Sequence, residues 1–174
     1  MNQLDQYIRS IPDFPEKGII FRDITSVLEK PESLKLAIDE ILGKLEGVDF
    51  DVVVGPESRG FVFGMPVAYE LNKSFAMVRK KGKLPCETIE KEYDLEYGSA
   101  VVEMHKTSVK PGQKVVIVDD LIATGGTIEA IISMVEELGA EVVKIVFLIE
   151  LAGLKGREKL KNYDVESVIC YEGK

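Results

Sequence analysis

Several short segments of this chain are apolar at almost every position. They include residues 52–54, residues 115–118 and the longer run "EVVKIVFLIEL" at 141–151. A strand exposed on one face alternates apolar and polar residues, whereas a strand buried on both faces is apolar throughout. Segments with helical spacing lie between these runs. The alternation predicts a single α/β domain whose mostly parallel central sheet is flanked by helices on both faces.

Two of the intervening segments have the spacing of an amphipathic helix. In residues 32–45, behind Pro31 at a first-turn position, the predicted buried stripe is Leu34, Ile38, Ile41, Leu42 and Leu45. In the second helix the stripe is Ile128, Ile131, Ile132, Val135 and Leu138, with Gly139 as the stop signal. A third helix is predicted for "GFVFGMPVAYEL", where Pro66 is expected near a first turn or a kink.

Composition limits the possible classes of function. The 174 residues suffice for one domain, and a net charge of −8 argues against a nucleic-acid binder, which needs basic surface. Cys86 and Cys170 are too few for a disulfide framework, which favours reduced thiols in a cytoplasmic protein. The N-terminus lacks a signal-peptide pattern, and the apolar runs are shorter than the ~20 residues that span a bilayer.

The segment "VVIVDDLIATGGT", which begins at Val115, ends an apolar strand with two carboxylates. In an open α/β sheet, ligands bind beyond the carboxyl ends of the strands, where Asp119 and Asp120 are expected. The small residues that follow let backbone N–H groups approach a ligand, and the N-terminus of the next helix favours an anion. The carboxylates suit hydroxyl groups instead. A ribose 5-phosphate satisfies both requirements.

Other phosphate-binding motifs do not fit this loop. A P-loop would need Gly-Lys-Ser/Thr, and a dinucleotide-binding fingerprint would need G-x-G-x-x-G. Between residues 80 and 97 the chain becomes polar and irregular, which is typical of a lid or a disordered segment. A basic cluster at its start indicates a small anionic ligand. The lone histidine, His105, is expected to be structural.

These motifs resemble a known family. "VVIVDDLIATGGT" is similar to the signature with which type I phosphoribosyltransferases bind 5-phosphoribosyl-1-pyrophosphate (PRPP). The segments "DFPEKGIIFRDIT", "VGPESRGFVFG", "RKKGKLP", "LEYG" and "LKGREKL" occur in the order and spacing of the adenine phosphoribosyltransferases. The resemblance covers nearly the whole chain. Pro56-Glu57 varies a stretch that often reads Leu-Asp or Ile-Glu.

The resemblance implies the type I phosphoribosyltransferase fold, with a base-binding hood in residues 1–30 and a flexible, antiparallel flap at about 80–105. The implied reaction transfers 5-phosphoribose from PRPP to N9 of adenine, giving AMP and pyrophosphate. Mg²⁺ is the implied cofactor, bound through PRPP and water without direct protein ligands. The implied assembly is a homodimer.

Site residues follow from the same resemblance. The implied PRPP-binding residues are Arg59, Arg79, Lys80, Lys83, Asp119, Asp120, Ala123, Thr124, Gly125, Gly126 and Thr127. The implied adenine-binding residues are Ile20, Phe21, Arg22 and Leu151, and the backbone of Arg22 would read N6 and N1 of the base. Arg59 and Glu96 are the implied catalytic residues, with Glu96 as a general acid. The family's non-proline cis peptide falls here on Glu57–Ser58.

Two alternatives remain open from the sequence. A phosphoribosyltransferase for a 6-oxopurine such as xanthine or hypoxanthine would share the PRPP loop, although "GIIFRDI" and "LKGREKL" favour adenine. A PRPP-sensing regulator that binds nucleic acid would be expected to have an added domain or a basic face. The length and acidity of this chain argue against that second alternative.

Overall fold

The computed structural model describes residues 2–94 and 98–173. Its strands are β1 (Arg9–Pro12), β2 (Ile20–Asp23), β3 (Val52–Pro56), β4 (Ser74–Lys80), β5 (Thr88–Asp94), β6 (Ser99–His105), β7 (Lys114–Ile122), β8 (Glu141–Leu151) and β9 (Val165–Tyr171). Its helices are α1 (Thr25–Leu28), α2 (Pro31–Lys44), α3 (Arg59–Glu70) and α4 (Gly126–Glu137), with 3-10 helices at Gln3–Tyr7, Ala152–Leu154 and Gly156–Leu160.

Seven of the described strands form one sheet in the order β5-β6-β4-β3-β7-β8-β9. Five neighbouring strands, β4, β3, β7, β8 and β9, are parallel. Strand β6 pairs with β4 in antiparallel orientation, and β5 pairs with β6 in the same way. The predicted mostly parallel sheet is therefore confirmed. Strands β1 and β2 form a separate antiparallel hairpin, which belongs to the predicted hood region.

Helices cover both faces of the sheet, as the apolar strands predicted. In β7, Val115 and Ile117 point into the core beneath α4, whereas Val116 and Val118 point into the core beneath α2 and α3. Successive side chains of a strand point to opposite faces, so a strand between two helical layers must be apolar at each position. This arrangement leaves the carboxyl ends of the parallel strands at one shared edge.

Strand β7 is longer than the sequence predicted. Its pairing with β3 stops at Ile117, but its pairing with β8 continues to Ile122. Asp119 and Asp120 therefore lie within the end of the strand, not after it. The carboxylates still lie beyond the last β3 pair, so one side of the β7 backbone faces open space there.

The buried stripe of α2 was predicted only in part. Ile41 and Leu45 are buried, but Ser33 and Ala37 occupy the other core positions, and Leu34, Ile38 and Leu42 are only half-buried. Ala37 packs in the core beneath the sheet, and the Ser33 hydroxyl donates to the carbonyl oxygen of Val27 at 2.7 Å. These two small residues take the inner positions, and the larger residues lie at the margin. The stripe of α4 is confirmed, with four of its five residues buried and Leu138 packed partly against them.

Of the two positions expected for Pro66, the first turn is wrong, because Pro66 is the eighth residue of α3, and the kink stays a prediction. The prediction of an irregular lid for residues 80–97 was also incomplete, because residues 88–94 form strand β5. This strand pairs with β6 from Thr88↔His105 to Asp94↔Ser99. Three consecutive charged residues at 90–92 concealed a hairpin whose apolar contacts come from Ile89 and Tyr93. Within the described ranges, no helix is both long and apolar enough to cross a membrane.

Candidate active site

A cavity of about 320 Å³ opens at the carboxyl ends of β3, β4 and β7. Ten of the predicted site residues line it: Arg59, Arg79, Lys80, Asp119, Asp120, Ala123, Thr124, Gly125, Gly126 and Thr127. The fold thus brings together three segments that lie far apart in sequence. Glu57, Ser58 and Tyr93 also line the cavity, although the sequence analysis did not include them among the site residues.

The loop between β7 and α4 is built around Gly125. This residue adopts a left-handed conformation, with φ at 79°, and occupies the N-cap position of α4. Such a φ favours glycine, and glycine has no side chain with which to cap the helix. The first N–H groups of α4 are therefore left for a ligand, and the helix dipole favours an anion at this end. The loop can bind a phosphate.

The two carboxylates lie at the inner wall of the cavity. Oδ1 of Asp119 accepts a hydrogen bond of 2.8 Å from the backbone N–H of Asp120. Burial and the charge of Asp120 raise the pKa of Asp119 well above its usual range. Burial also raises the pKa of Asp120, and the guanidinium of Arg59 only partly offsets this effect. Hydroxyl donors from a ligand would stabilise the charged forms of both groups.

Arg59 begins α3 and faces the carboxylate pair. Its Nε lies 2.9 Å from Oδ2 of Asp120, and the Arg59 side chain is about half exposed. The two atoms are close enough to form an ion pair, but the N–H of Arg59 does not point at the oxygen as a hydrogen bond requires. Oδ2 of Asp120 therefore has no hydrogen-bond partner among the described residues. The predicted cis peptide at Glu57–Ser58 is confirmed. The buried oxygen and the accessible guanidinium both remain able to bind a ligand.

Glu57 organises the basic side of the cavity. Its Oε2 accepts hydrogen bonds from Nε of Arg79 at 3.0 Å and from the backbone N–H of Lys80 at 3.1 Å. Burial alone would raise the pKa of Glu57, but these two donors outweigh it and lower the pKa. The carboxylate therefore stays charged and ties the end of β3 to the end of β4. No local sequence pattern distinguishes it from a solvated glutamate.

Lys83 does not line the cavity and lies on the loop that follows β4. The backbone N–H groups of Lys83 and Leu84 donate to Oε1 of buried Glu103 at 2.8 and 2.7 Å. Burial pushes the pKa of Glu103 upward, but the hydrogen bonds from this loop outweigh it and lower the pKa. A charged group on β6 therefore fixes the loop that carries the basic cluster.

The predicted adenine-binding residues lie outside this cavity but close to one another. Leu151 pairs with Tyr171 at the ends of β8 and β9. The guanidinium carbon of Arg22 lies 3.8 Å from the centre of the Tyr171 ring, a cation–π contact. The Tyr171 hydroxyl donates to Oδ1 of Asp5 at 2.5 Å. Tyr171, which the sequence analysis missed, therefore links the hood hairpin to the sheet.

The other two predicted adenine-binding residues, Ile20 and Phe21, precede Arg22 on β2. Ile20 is 41% exposed and lies near two other exposed apolar residues, Phe14 and Ile19, which leaves this surface accessible to a planar ligand. The Phe21 ring meets the Phe14 ring edge to face, with centroids 5.2 Å apart. The hairpin therefore presents apolar surface next to the Arg22 backbone.

Two further predictions concern single residues. Glu96 lies outside the described residues, so its role as a general acid stays a prediction. His105 bonds through Nε2 to the carbonyl oxygen of Pro85 at 2.7 Å, which ties β6 to the preceding loop. This contact agrees with the structural role expected of His105.

Comparison with known proteins agrees with this geometry. The sequence model of the protein family described as the phosphoribosyl transferase domain matches residues 24–172 of this chain. A protein named adenine phosphoribosyltransferase from Lachnoclostridium phytofermentans is 71% identical over the full length of both chains. Another of that name from Clostridium novyi is 59% identical and covers 97% of this chain and 98% of its own.

Solved structures give the same result. The crystal structure of adenine phosphoribosyltransferase from Thermoanaerobacter pseudethanolicus superposes with a TM-score of 0.93 at 52% identity, covering 97% of this chain and 98% of its own. The enzyme from Saccharomyces cerevisiae, complexed with an imino-altritol bisphosphate and adenine, gives 0.91 at 40% identity, covering 95% and 96%. This chain therefore belongs to the phosphoribosyltransferase family, and within it to the adenine phosphoribosyltransferases.

Proposed function

We propose that this chain transfers 5-phosphoribose from PRPP to N9 of adenine, giving AMP and pyrophosphate, as a purine-salvage enzyme of the cytoplasm. One observation carries the proposal. A single cavity joins an anion-binding loop, a carboxylate pair and a cluster of arginine and lysine. These three parts match the 5-phosphate, the vicinal diol and the pyrophosphate of PRPP.

Binding of the ribose phosphate follows from the chemistry of the loop. The backbone N–H groups of residues 123–127 and the hydroxyls of Thr124 and Thr127 bind the 5-phosphate at the α4 N-terminus. Asp119 and Asp120 accept hydrogen bonds from the 2- and 3-hydroxyls. Because both carboxylates are desolvated, these new donors replace hydration that the folded protein has already lost.

Catalysis requires stabilisation of the charge that develops as pyrophosphate leaves C1. The transition state of such a transfer resembles an oxocarbenium ion, so the protein contributes mainly position and charge. Arg59, Arg79 and Lys80 line the cavity where the diphosphate would lie. We assign Lys83 to the same role, through movement of its loop towards the bound ligand.

Mg²⁺ fits this site as a cation that enters with the substrate. Mg²⁺ prefers oxygen ligands and keeps several waters, so substrate oxygens and water can supply its ligands. PRPP oxygens and water would therefore hold Mg²⁺ without direct protein ligands, while Asp119 and Asp120 bind the ribose hydroxyls. Bound Mg²⁺ would neutralise charge on the departing pyrophosphate.

Adenine would bind on the hood side, against Ile20, Phe21 and Leu151. The backbone C=O of Arg22 would accept from the N6 amino group, and its N–H would donate to N1. Hypoxanthine presents the opposite pattern at these two atoms, so this pair would reject it. We assign Glu96 the proton exchange at the base. Flap closure over bound PRPP would then exclude water.

A homodimer is the assembly we propose, and an exposed apolar surface on α3 supports it. Val62, Met65 and Tyr69 recur at helical spacing and are 37%, 54% and 80% exposed. We call these three residues the α3 patch. Neighbouring large apolar residues on one exposed helix face are typical of an interaction surface.

The proposed function is tested by incubating the purified protein with adenine, PRPP and Mg²⁺ and measuring AMP and pyrophosphate. Both products should form in equal amounts, and omission of Mg²⁺ should abolish them. Hypoxanthine and xanthine should be turned over far more slowly than adenine. Faster turnover of either 6-oxopurine, or absence of AMP, would overturn the assignment.

A further inference from the structure

The segment "LKGREKL" at residues 154–160 matches a family motif but contributes no lining residue to the cavity. It begins at the last residue of one 3-10 helix and forms a second, Gly156–Leu160, between β8 and β9. Most of its charged side chains are exposed, yet Gly156 and Leu160 are buried. The role of this motif must therefore be one that does not require its residues to contact a ligand in the cavity.

Gly156 lies against the back of the phosphate-binding loop. A Cβ atom added to Gly156 would lie 2.2 Å from the carbonyl oxygen of Ala123 and 2.9 Å from Cγ1 of Ile122. In the reverse direction, a Cβ on Gly125 would lie 2.7 Å from the carbonyl oxygen of Gly156. The two backbones are thus in direct contact, and displacement of one must displace the other.

Arg157, the next residue, anchors this contact to the sheet. Its Nε donates to Oε1 of Glu150 at 2.9 Å, and Nη2 donates to Oε2 of the same carboxylate. The guanidinium also donates to the carbonyl oxygen of Val165 and to Oγ of Ser167. Glu150 is buried on β8 and pairs with Ile122 of β7, at the start of the loop. One side chain therefore joins β8, β9 and the 154–160 segment.

We propose that Arg157 is a positioning residue for the phosphate-binding loop. By fixing Gly156 against Ala123, it holds the loop amides where they can bind the 5-phosphate. A displacement of a fraction of an ångström weakens such preorganised hydrogen bonds. This inference depends on the proposed function, since it assigns a support to the same PRPP site.

Arg157→Lys tests the inference because lysine keeps the charge but cannot reproduce the planar fork of donors. We expect the affinity for ribose 5-phosphate, measured by calorimetry, to fall about tenfold. The KM for PRPP should rise by a similar factor, while the KM for adenine at saturating PRPP changes less than twofold. A purely structural role would lower stability without this difference between the two substrates.

Gly156→Ala tests the contact itself, without altering an ion pair. The added methyl group would overlap backbone atoms of Ala123, so the loop must move, and ribose 5-phosphate should bind more weakly than to Arg157→Lys. Should Arg157→Lys fail to fold, Gly156→Ala carries the test alone. Unchanged affinity in Gly156→Ala overturns the proposal, as does an equal loss for adenine and PRPP in Arg157→Lys.

Lys144→Gln is the matched control. Lys144 is also buried on β8 and pairs with Asp164 and Glu166, but it lies towards the opposite end of the strand. This variant should lower the melting temperature and leave ribose 5-phosphate affinity unchanged. Calorimetry measures binding without turnover. If the unsubstituted protein forms no AMP, the proposed function fails, whereas if the variants bind ribose 5-phosphate as tightly as the unsubstituted protein, this inference fails.

Discussion

At the scale of single residues, the carboxylate pair shows how function opposes stability. The protein places two acidic groups side by side, with Asp120 buried and Asp119 half-buried, and one arginine lies next to them without hydrogen-bond alignment. Desolvation and mutual repulsion disfavour this arrangement in the folded protein without ligand. A ligand with two hydroxyl groups relieves part of that cost.

Asp119→Asn should stabilise the free protein while impairing PRPP binding. The raised pKa means that folded Asp119 binds more protons than the unfolded chain above about pH 3.8, so its contribution to stability falls as pH rises. Asparagine keeps the acceptor for the Asp120 N–H and removes the charge. Denaturation at several pH values should show a stability gain that grows as pH rises from about 4 to 7.5.

The same variant should lose at least about tenfold in kcat/KM for PRPP, the loss expected when a charged acceptor becomes neutral. Asp49→Asn provides the control, because Asp49 is exposed and its hydrogen bond with Lys114 lowers the Asp49 pKa. That substitution should not stabilise the protein at any pH. A destabilised Asp119→Asn variant would contradict the proposed electrostatics.

Glu96→Gln should lower kcat at least tenfold, since removal of a general acid typically costs 10²–10⁴-fold in rate. PRPP affinity should change little, because the substitution is nearly isosteric. Steady-state kinetics with both substrates measure the two effects separately. An unchanged kcat would exclude Glu96 from the catalytic residues.

Single residues were predictable from the sequence where they belong to a local motif. Asp119, Asp120 and the loop after them share one short segment, so their proximity was assured. The Arg22–Tyr171 contact joins opposite ends of the chain, and Glu57 binds a partner on another strand. Such contacts depend on how elements pack, which no local spacing encodes.

At the scale of elements, the spacing of apolar residues predicted most helices and strands. Two strands differ from the prediction, namely the carboxyl end of β7 and the whole of β5. Strand β7 extends past its last apolar run because β8 continues to pair with it. The resemblance implied an antiparallel flap, but the residue pattern did not indicate strand β5 within it, because hydrogen bonds to β6 rather than an apolar face determine its conformation. In both cases a neighbouring strand overrode the local pattern.

Glu103→Gln should loosen the basic loop after β4. The neutral amide still accepts hydrogen bonds but loses the charge-assisted part, about 1 kcal/mol. Amide hydrogen exchange at Lys83 and Leu84 should therefore be about fivefold faster at pH 7. Because the Glu103 pKa is lowered, the protection in the unsubstituted protein should persist at pH 4.5 and fall only as pH drops through the folded pKa.

Glu90→Gln is the control for this experiment. Glu90 lies opposite Glu103 in the β5–β6 register, and its carboxylate pairs with the Lys81 side chain at the surface. It should leave exchange at Lys83 and Leu84 unchanged. Equal exchange rates in Glu103→Gln and the unsubstituted protein would contradict the role assigned to Glu103.

At the scale of the whole molecule, the two-sided core and the single active-site edge have a common cause. Helices on both faces require apolar strands, and parallel strands bring their carboxyl ends to one edge. This logic is readable in the sequence, which is why the fold class was predictable. The assembly of the protein is not predictable in this way. Exposed and buried apolar residues of α3 both recur at helical spacing, so the sequence alone does not show which face is covered by a partner.

Met65→Glu should dissociate the proposed homodimer. Light scattering of the unsubstituted protein should give twice the 19.3 kDa mass of the chain, whereas the variant should give the monomer mass at the same concentration. Met65 is 54% exposed at the centre of the α3 patch, so a charge there is harmless in a monomer but desolvated and unpaired in an interface. Lys110→Glu, a charge change at an exposed turn before β7, should leave the dimer intact. A monomeric unsubstituted protein, or a dimeric Met65→Glu variant, would show that the α3 patch is not the interface.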